Sequence, residues 1–114
     1  MIHVFTASFV FAGEKPNLVS LISFPGKSYK INLPQQISTK YYMFGVLLLN
    51  DGTGAEVDTI TAKYPGDAER INLEILKRWI GGRGKPLTWD ILIGVLKDIG
   101  LGNLASEIKD KVHH

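Results

Sequence analysis

The chain has 114 residues, 45% of them hydrophobic, enough to fill one core but too few for two independent domains. Its 13 basic and 11 acidic residues leave a formal net charge of +2, so general polyelectrolyte attraction to nucleic acid or anionic membrane is excluded and any attraction has to come from a local patch. With no cysteine there is no disulfide framework and no thiolate metal site, and no run approaches the ~20 apolar residues that span a bilayer.

Residues 1–33 read as extended. Met1–Gly13 (MIHVFTASFVFAG) has a short apolar run with no Lys or Arg ahead of it, which argues against a secretory leader. Phe5, Phe9 and Phe11 share the alternate-residue spacing of one strand face. Leu18–Phe24 meets the turn dipeptide Pro25-Gly26, and Tyr29, Ile31 and Leu33 then alternate with Lys30 and Asn32. The spacing predicts a β-hairpin of Leu18–Phe24 with Ser28–Leu33, closed by Pro34, that needs something to pack on.

From Gln35 the period becomes helical. A first helix is predicted over Thr39–Leu49, with Tyr41, Phe44 and Leu48 inward and Ser38 or Thr39 as its cap. Asn50–Gly54 ends it, a second helix covers Ala55–Lys63 with Val57 and Ile60 inward, and Tyr64-Pro65-Gly66 breaks that. Asp67 caps the next helix, where Ile71, Ile75 and Trp79 recur every fourth residue and Leu76 and Ile80 widen the stripe. Lys77 and Arg78 suit its last turn, and Gly81 is a candidate left-handed terminator. Thr88 is a plausible N-cap with Asp90 in the first turn and Leu87 placed to staple onto Leu92. Leu92, Val95, Leu96 and Ile99 make the next stripe, stopped by Gly100, and Leu104, Ala105, Ile108 and Val112 make the last. The expected core is therefore Phe44, Leu48, Ile60, Ile75, Trp79, Leu92, Leu96, Leu104 and Ile108, in an all-α body carrying an N-terminal β-hairpin-like extension.

Chemistry-bearing motifs are weak. Gly81-Gly82-Arg83-Gly84-Lys85 lacks the Ser or Thr after the lysine, and the strand before the loop, that a phosphate-binding loop requires. Asp51–Glu56 has acids among glycines, but a calcium loop starting at Asp51 would need Gly at Glu56 and Glu at Ala62. The histidines are His3, His113 and His114, none with an obvious acid partner for a hydrolytic triad. No cofactor or metal is implied, and a non-catalytic protein is expected. The remaining signal is the basic cluster Lys77, Arg78, Arg83 and Lys85, whose default reading is a solvated loop; a protein-docking patch is the next reading, ahead of nucleic acid because aromatics are not interleaved with the cluster. A small helical nucleic-acid-binding domain using this corner is the alternative.

The runs Ile75-Leu76-Lys77-Arg78-Trp79, Pro86-Leu87-Thr88-Trp89-Asp90-Ile91-Leu92, Val95–Leu101 and Leu104-Ala105-Ser106-Glu107-Ile108 resemble the second half of a death domain. Its helix ending Leu-x-x-Trp, its Thr-Trp-x-x-Leu start and its Leu-Ala-x-x-Ile helix are all present, and Tyr41–Leu49 looks like the first helix of the same module. The likeness covers residues 35–112; residues 1–33 have no place in it and are consistent with the end of a preceding β-rich domain. The resemblance implies a six-helix antiparallel Greek-key bundle, with a third helix of a turn or less within Tyr64–Glu69. It implies a cytoplasmic adaptor or scaffold in apoptosis or innate immune signalling. Its expected partners are other death-fold domains or further copies of itself, with no nucleic acid and no membrane span. On the same basis Lys77, Arg78, Arg83 and Lys85 would meet acids of a neighbouring module, the candidates being Asp51, Asp90, Asp98, Glu107 and Asp110.

Overall fold

Helix begins earlier than the hydrophobic period suggests. A computed structural model describes residues 15–18, 21 and 32–113, and all regular structure among the described residues is helical. Asn32 takes a left-handed conformation, φ 41°, and Pro34 follows in the first turn of α1 (Leu33–Ile37). Proline is at home there, since its fixed φ suits a helix and its missing N–H has no intrahelical acceptor to lose. A 3-10 turn (Ser38–Lys40) links α1 to α2 (Tyr41–Leu48). Then come α3 (Ala55–Lys63), α4 (Ala68–Ile80), α5 (Trp89–Asp98) and α6 (Gly102–His113).

These observations correct several expectations. Leu33 belongs to a helix and not to a second strand. Leu18 and Leu21 are helical, and Leu21 N–H donates to Asn17 O at 3.1 Å, a helical step where the spacing predicts the first strand. The rest of the hairpin, and the phenylalanine run before it, lie outside the described residues. Neither Ser38 nor Thr39 caps α2, whose start carries no side-chain cap. Tyr64–Asp67 is a turn closed by Asp67 N–H on Tyr64 O at 3.1 Å, and Ala68 and Glu69 already lie in α4, so no separate short helix stands between α3 and α4.

Helix α4 is central. It packs against α1, α2 and α3, while α5 lies against α2 and α6. Its inner face buries Ile71, Ile75, Leu76 and Trp79; Phe44, Leu48, Ile60, Leu92, Leu96, Leu104 and Ile108 are buried in the same core, as is Leu21. Gly45 sets the distance between helices: a β-carbon there would meet Val57 Cγ2 at 2.5 Å and Ile75 Cδ1 at 2.9 Å, so α2 approaches α3 and α4 more closely than any side chain at 45 would allow.

The single buried polar side chain among the described residues is Asn72, on α4. Its amide donates to Pro34 O at 3.0 Å and to Ser38 O at 2.8 Å, which ties α4 to both sides of the break between α1 and α2. Its Oδ1 is buried without a partner.

Candidate functional site

The basic corner is built from three helix ends that meet. Helix α4 stops in a Schellman motif. Gly81 keeps an ordinary φ of −74°, and Gly82 takes the left-handed position at φ 105°, one residue later than expected. Gly82 N–H then donates to Trp79 O at 3.0 Å and Arg83 N–H to Arg78 O at 3.1 Å, so the chain reverses sharply and brings Arg83 back beside the helix it left. Helix α2 ends the same way through Asn50, φ 53°, with Asp51 N–H on Val46 O at 2.9 Å.

The loop after α4 is then fastened to the end of α2. Lys85 N–H donates to Leu48 O at 2.9 Å, and the Trp79 indole N–H donates to Lys85 O at 2.8 Å. Trp79 is fully buried, so the indole is both core and anchor for the loop. Gly84, φ 84°, lies so close to the Leu48 carbonyl and the Leu49 backbone that no β-carbon fits. A glycine-rich loop is thus held rigidly by backbone bonds at both strands of its path.

Charges organise around Glu56, in the first turn of α3. Its Oε2 accepts from Arg78 Nη1 at 3.0 Å and its Oε1 from Arg83 Nη2 at 2.8 Å. The Glu56 side chain is only 11% exposed, Arg78 is 34% and Arg83 65%. One carboxylate therefore aligns two guanidiniums, and Arg83 keeps most of its donor fork in solvent. Lys77 pairs with Glu74 at 3.6 Å, and Lys85 Nζ reaches Asn50 Oδ1 at 3.4 Å.

The expected docking residues thus fall into different classes. Arg78, Arg83 and Lys85 gather at the corner formed by the ends of α2 and α4 and the start of α3, whereas Lys77, in the last turn of α4, faces Glu74 on its own helix. Asp51 is at the same corner but is committed inward: its Oδ2 accepts the Glu56 and Val57 N–H groups at 2.9 and 3.0 Å, capping α3. Asp90 is exposed in the first turn of α5, where Thr88 Oγ1 accepts Ile91 N–H at 3.1 Å as the cap. Asp98, at the end of α5, and Glu107 and Asp110, on α6, are exposed. Sequence reasoning missed Glu56. Only its position in the first turn of a helix was visible, and nothing local indicates arginines 22 and 27 residues away.

Among the described residues no cluster of three or more His, Cys, Asp or Glu side chains is placed to hold a metal ion, and no helix is long and apolar enough to cross a membrane. The corner offers oriented hydrogen-bond donors and positive charge, chemistry of the kind that pairs with carboxylates, as Glu56 already does within the chain. No family model, curated protein or solved structure matches this chain.

Proposed function

We propose that the chain is a non-catalytic protein–protein interaction module of death-domain type, acting as a cytoplasmic adaptor or scaffold in apoptotic or innate immune signalling. The corresponding fold reading is a six-helix antiparallel Greek-key bundle whose partners are other death-fold domains or further copies of this chain. One observation carries it: Glu56, Trp79 and Gly84 hold the basic corner in one geometry before any partner arrives. Ordering a flexible arginine costs binding energy, and a corner already ordered avoids much of that cost. A second support is that Leu76, Trp79, Trp89, Leu92, Leu104, Ala105 and Ile108, the apolar positions that carry the resemblance, are interior to one body.

Arg83 is the contact residue of choice and Arg78 the internal one. Reversing both to Glu would set two acids against Glu56 and disturb the fold as well as docking, so the cleaner variant is Lys77→Gln with Arg83→Gln, which leaves Arg78 on Glu56. The experiment is co-sedimentation with a panel of purified death-fold domains, at low and high salt. Binding by the parent chain and its loss in the double variant, with the circular dichroism of both unchanged, is the expected result. Binding that survives the double variant removes the corner from the interface. Failure to bind any such domain, together with salt-steep binding to generic DNA, overturns the reading in favour of a nucleic-acid module.

A further inference from the structure

The break between α1 and α2 carries an inference independent of the docking corner. Its hinge is Ser38, whose φ of 53° and ψ of −127° belong to a region that L residues adopt only under constraint. On both sides the chain is helical, and the 3-10 turn Ser38–Lys40 is the whole connection, with no loop residues to spare. If Ser38 took ordinary helical angles, and Lys40 relaxed from its φ of −83° and ψ of 21°, Leu33 to Leu48 would run as one unbroken helix. Helix α1 would then point away from its own α4, exposing Leu33, Pro34 and Ile37, which are now buried.

What holds the bend is Asn72. Its amide bridges Pro34 O and Ser38 O, one carbonyl from each side of the hinge. Straightening the hinge would carry Pro34 O away with α1, and the bridge would lose half its purchase. The latch is itself imperfect, because Asn72 Oδ1 is stranded in the interior.

We infer that the hinge at Ser38 and the Asn72 latch make this chain a reciprocal arm-exchanger, in which α1 of one copy docks on α4 of a second copy and the reverse. The partner is fixed by chemistry: the groove vacated on α4 is shaped for Leu33, Pro34 and Ile37, and a second copy supplies those side chains in the same order. The apolar surface that opening exposes is covered again across the dimer, and the hinge strain is relieved twice. A short strained hinge is the condition under which such exchange becomes favourable. The contact is closed and two-fold, unlike the propagating contact expected of the basic corner.

The test is refolding of the full chain from denaturant at low and high protein concentration, followed by size-exclusion chromatography with light scattering. The parent chain should yield dimer when refolded concentrated, and that dimer should persist on dilution in the cold and dissociate only on warming, since separation requires opening. Ser38→Gly removes the hinge strain, about tenfold in equilibrium per hinge and so about 100-fold per dimer, and should give monomer. Asn72→Leu removes the latch and the stranded oxygen while keeping volume, and should raise the dimer fraction. Parent and Asn72→Leu chains that stay monomeric at every concentration, with Asn72→Leu folded by circular dichroism, overturn the proposal. So does a dimer that disperses at once on dilution, or one indifferent to Ser38→Gly. A dimer abolished by Arg83→Gln belongs to the corner and overturns it equally.

Discussion

Replacing Glu56 by Gln tests whether the basic corner is held together by one carboxylate. The substitution keeps the side chain's shape and removes the charge that faces Arg78 and Arg83. Hydrogen bonds to charged groups contribute ~1.5–3 kcal/mol when shielded from solvent. The Arg78 bond, at 3.0 Å between a one-third exposed guanidinium and a nearly buried carboxylate, is partly screened and falls just below that range, about 1–1.5 kcal/mol. The Arg83 bond is shorter at 2.8 Å, but that side chain is 65% exposed, so screening leaves about 0.5 kcal/mol. The expected loss is about 1.5–2 kcal/mol in urea unfolding at low salt, or roughly 5–8 °C in melting temperature for a chain of this size. Double-mutant cycles of Glu56→Gln with Arg78→Met and with Arg83→Met should give a larger coupling for Arg78. A loss under about 0.5 kcal/mol, or a coupling to Arg83 that exceeds the one to Arg78, would refute the claim that burial rather than distance decides which pair matters.

Asp51→Ala removes the carboxylate that caps two N–H groups of α3 and should cost about 1–2 kcal/mol in thermal unfolding, whereas Asp51→Asn should cost clearly less. Gly84→Ala meets the Leu48–Leu49 backbone at a positive φ and should destabilise by more than about 1 kcal/mol, while Gly94→Ala, in mid-helix with open space around its Cα, should stabilise by about 0.5–1 kcal/mol; chemical denaturation of the pair checks both signs. Trp79→Ala empties the core and should cost about 3–5 kcal/mol. Trp79→Phe keeps most of the volume but strands the Lys85 carbonyl, so it should be milder in stability and should loosen the loop, as seen in nuclear magnetic resonance relaxation at residues 82–86.

Helix stripes are legible because periodicity is local. Ile71, Ile75 and Trp79 announce the inner face of α4 by spacing alone, and Asp67 and Thr88 announce the caps that the structure shows. Helix α1 is hidden because the segment before it alternates like a strand and Pro34 looks like a terminator. The proline two residues after Asn32, inside a first turn, is the signal for a helix start. The basic cluster is legible as composition, but not its wiring. Glu56, Asn50 and the Leu48 carbonyl reach Arg78, Arg83 and Lys85 only after the helices pack. Asp51 resembles an outward-facing acid because a cap that reaches five residues ahead has no short-range sequence signature. Asn72, between apolar neighbours on a buried stripe, carries no mark of its task, since that task depends on carbonyls 38 and 34 residues earlier.

The fastening of residues 81–86 has a consequence for how the molecule tolerates change in length. Connections between helices ordinarily absorb added residues at small entropic expense. Here an inserted residue would pull the Lys85 amide off Leu48 and its carbonyl off the Trp79 indole together, so an affinity tag or a natural insertion at this point should unseat the core. The turn at Tyr64–Asp67, where Gly66 has nothing within 4 Å of its would-be β-carbon, is the place where the same insertion should pass unnoticed.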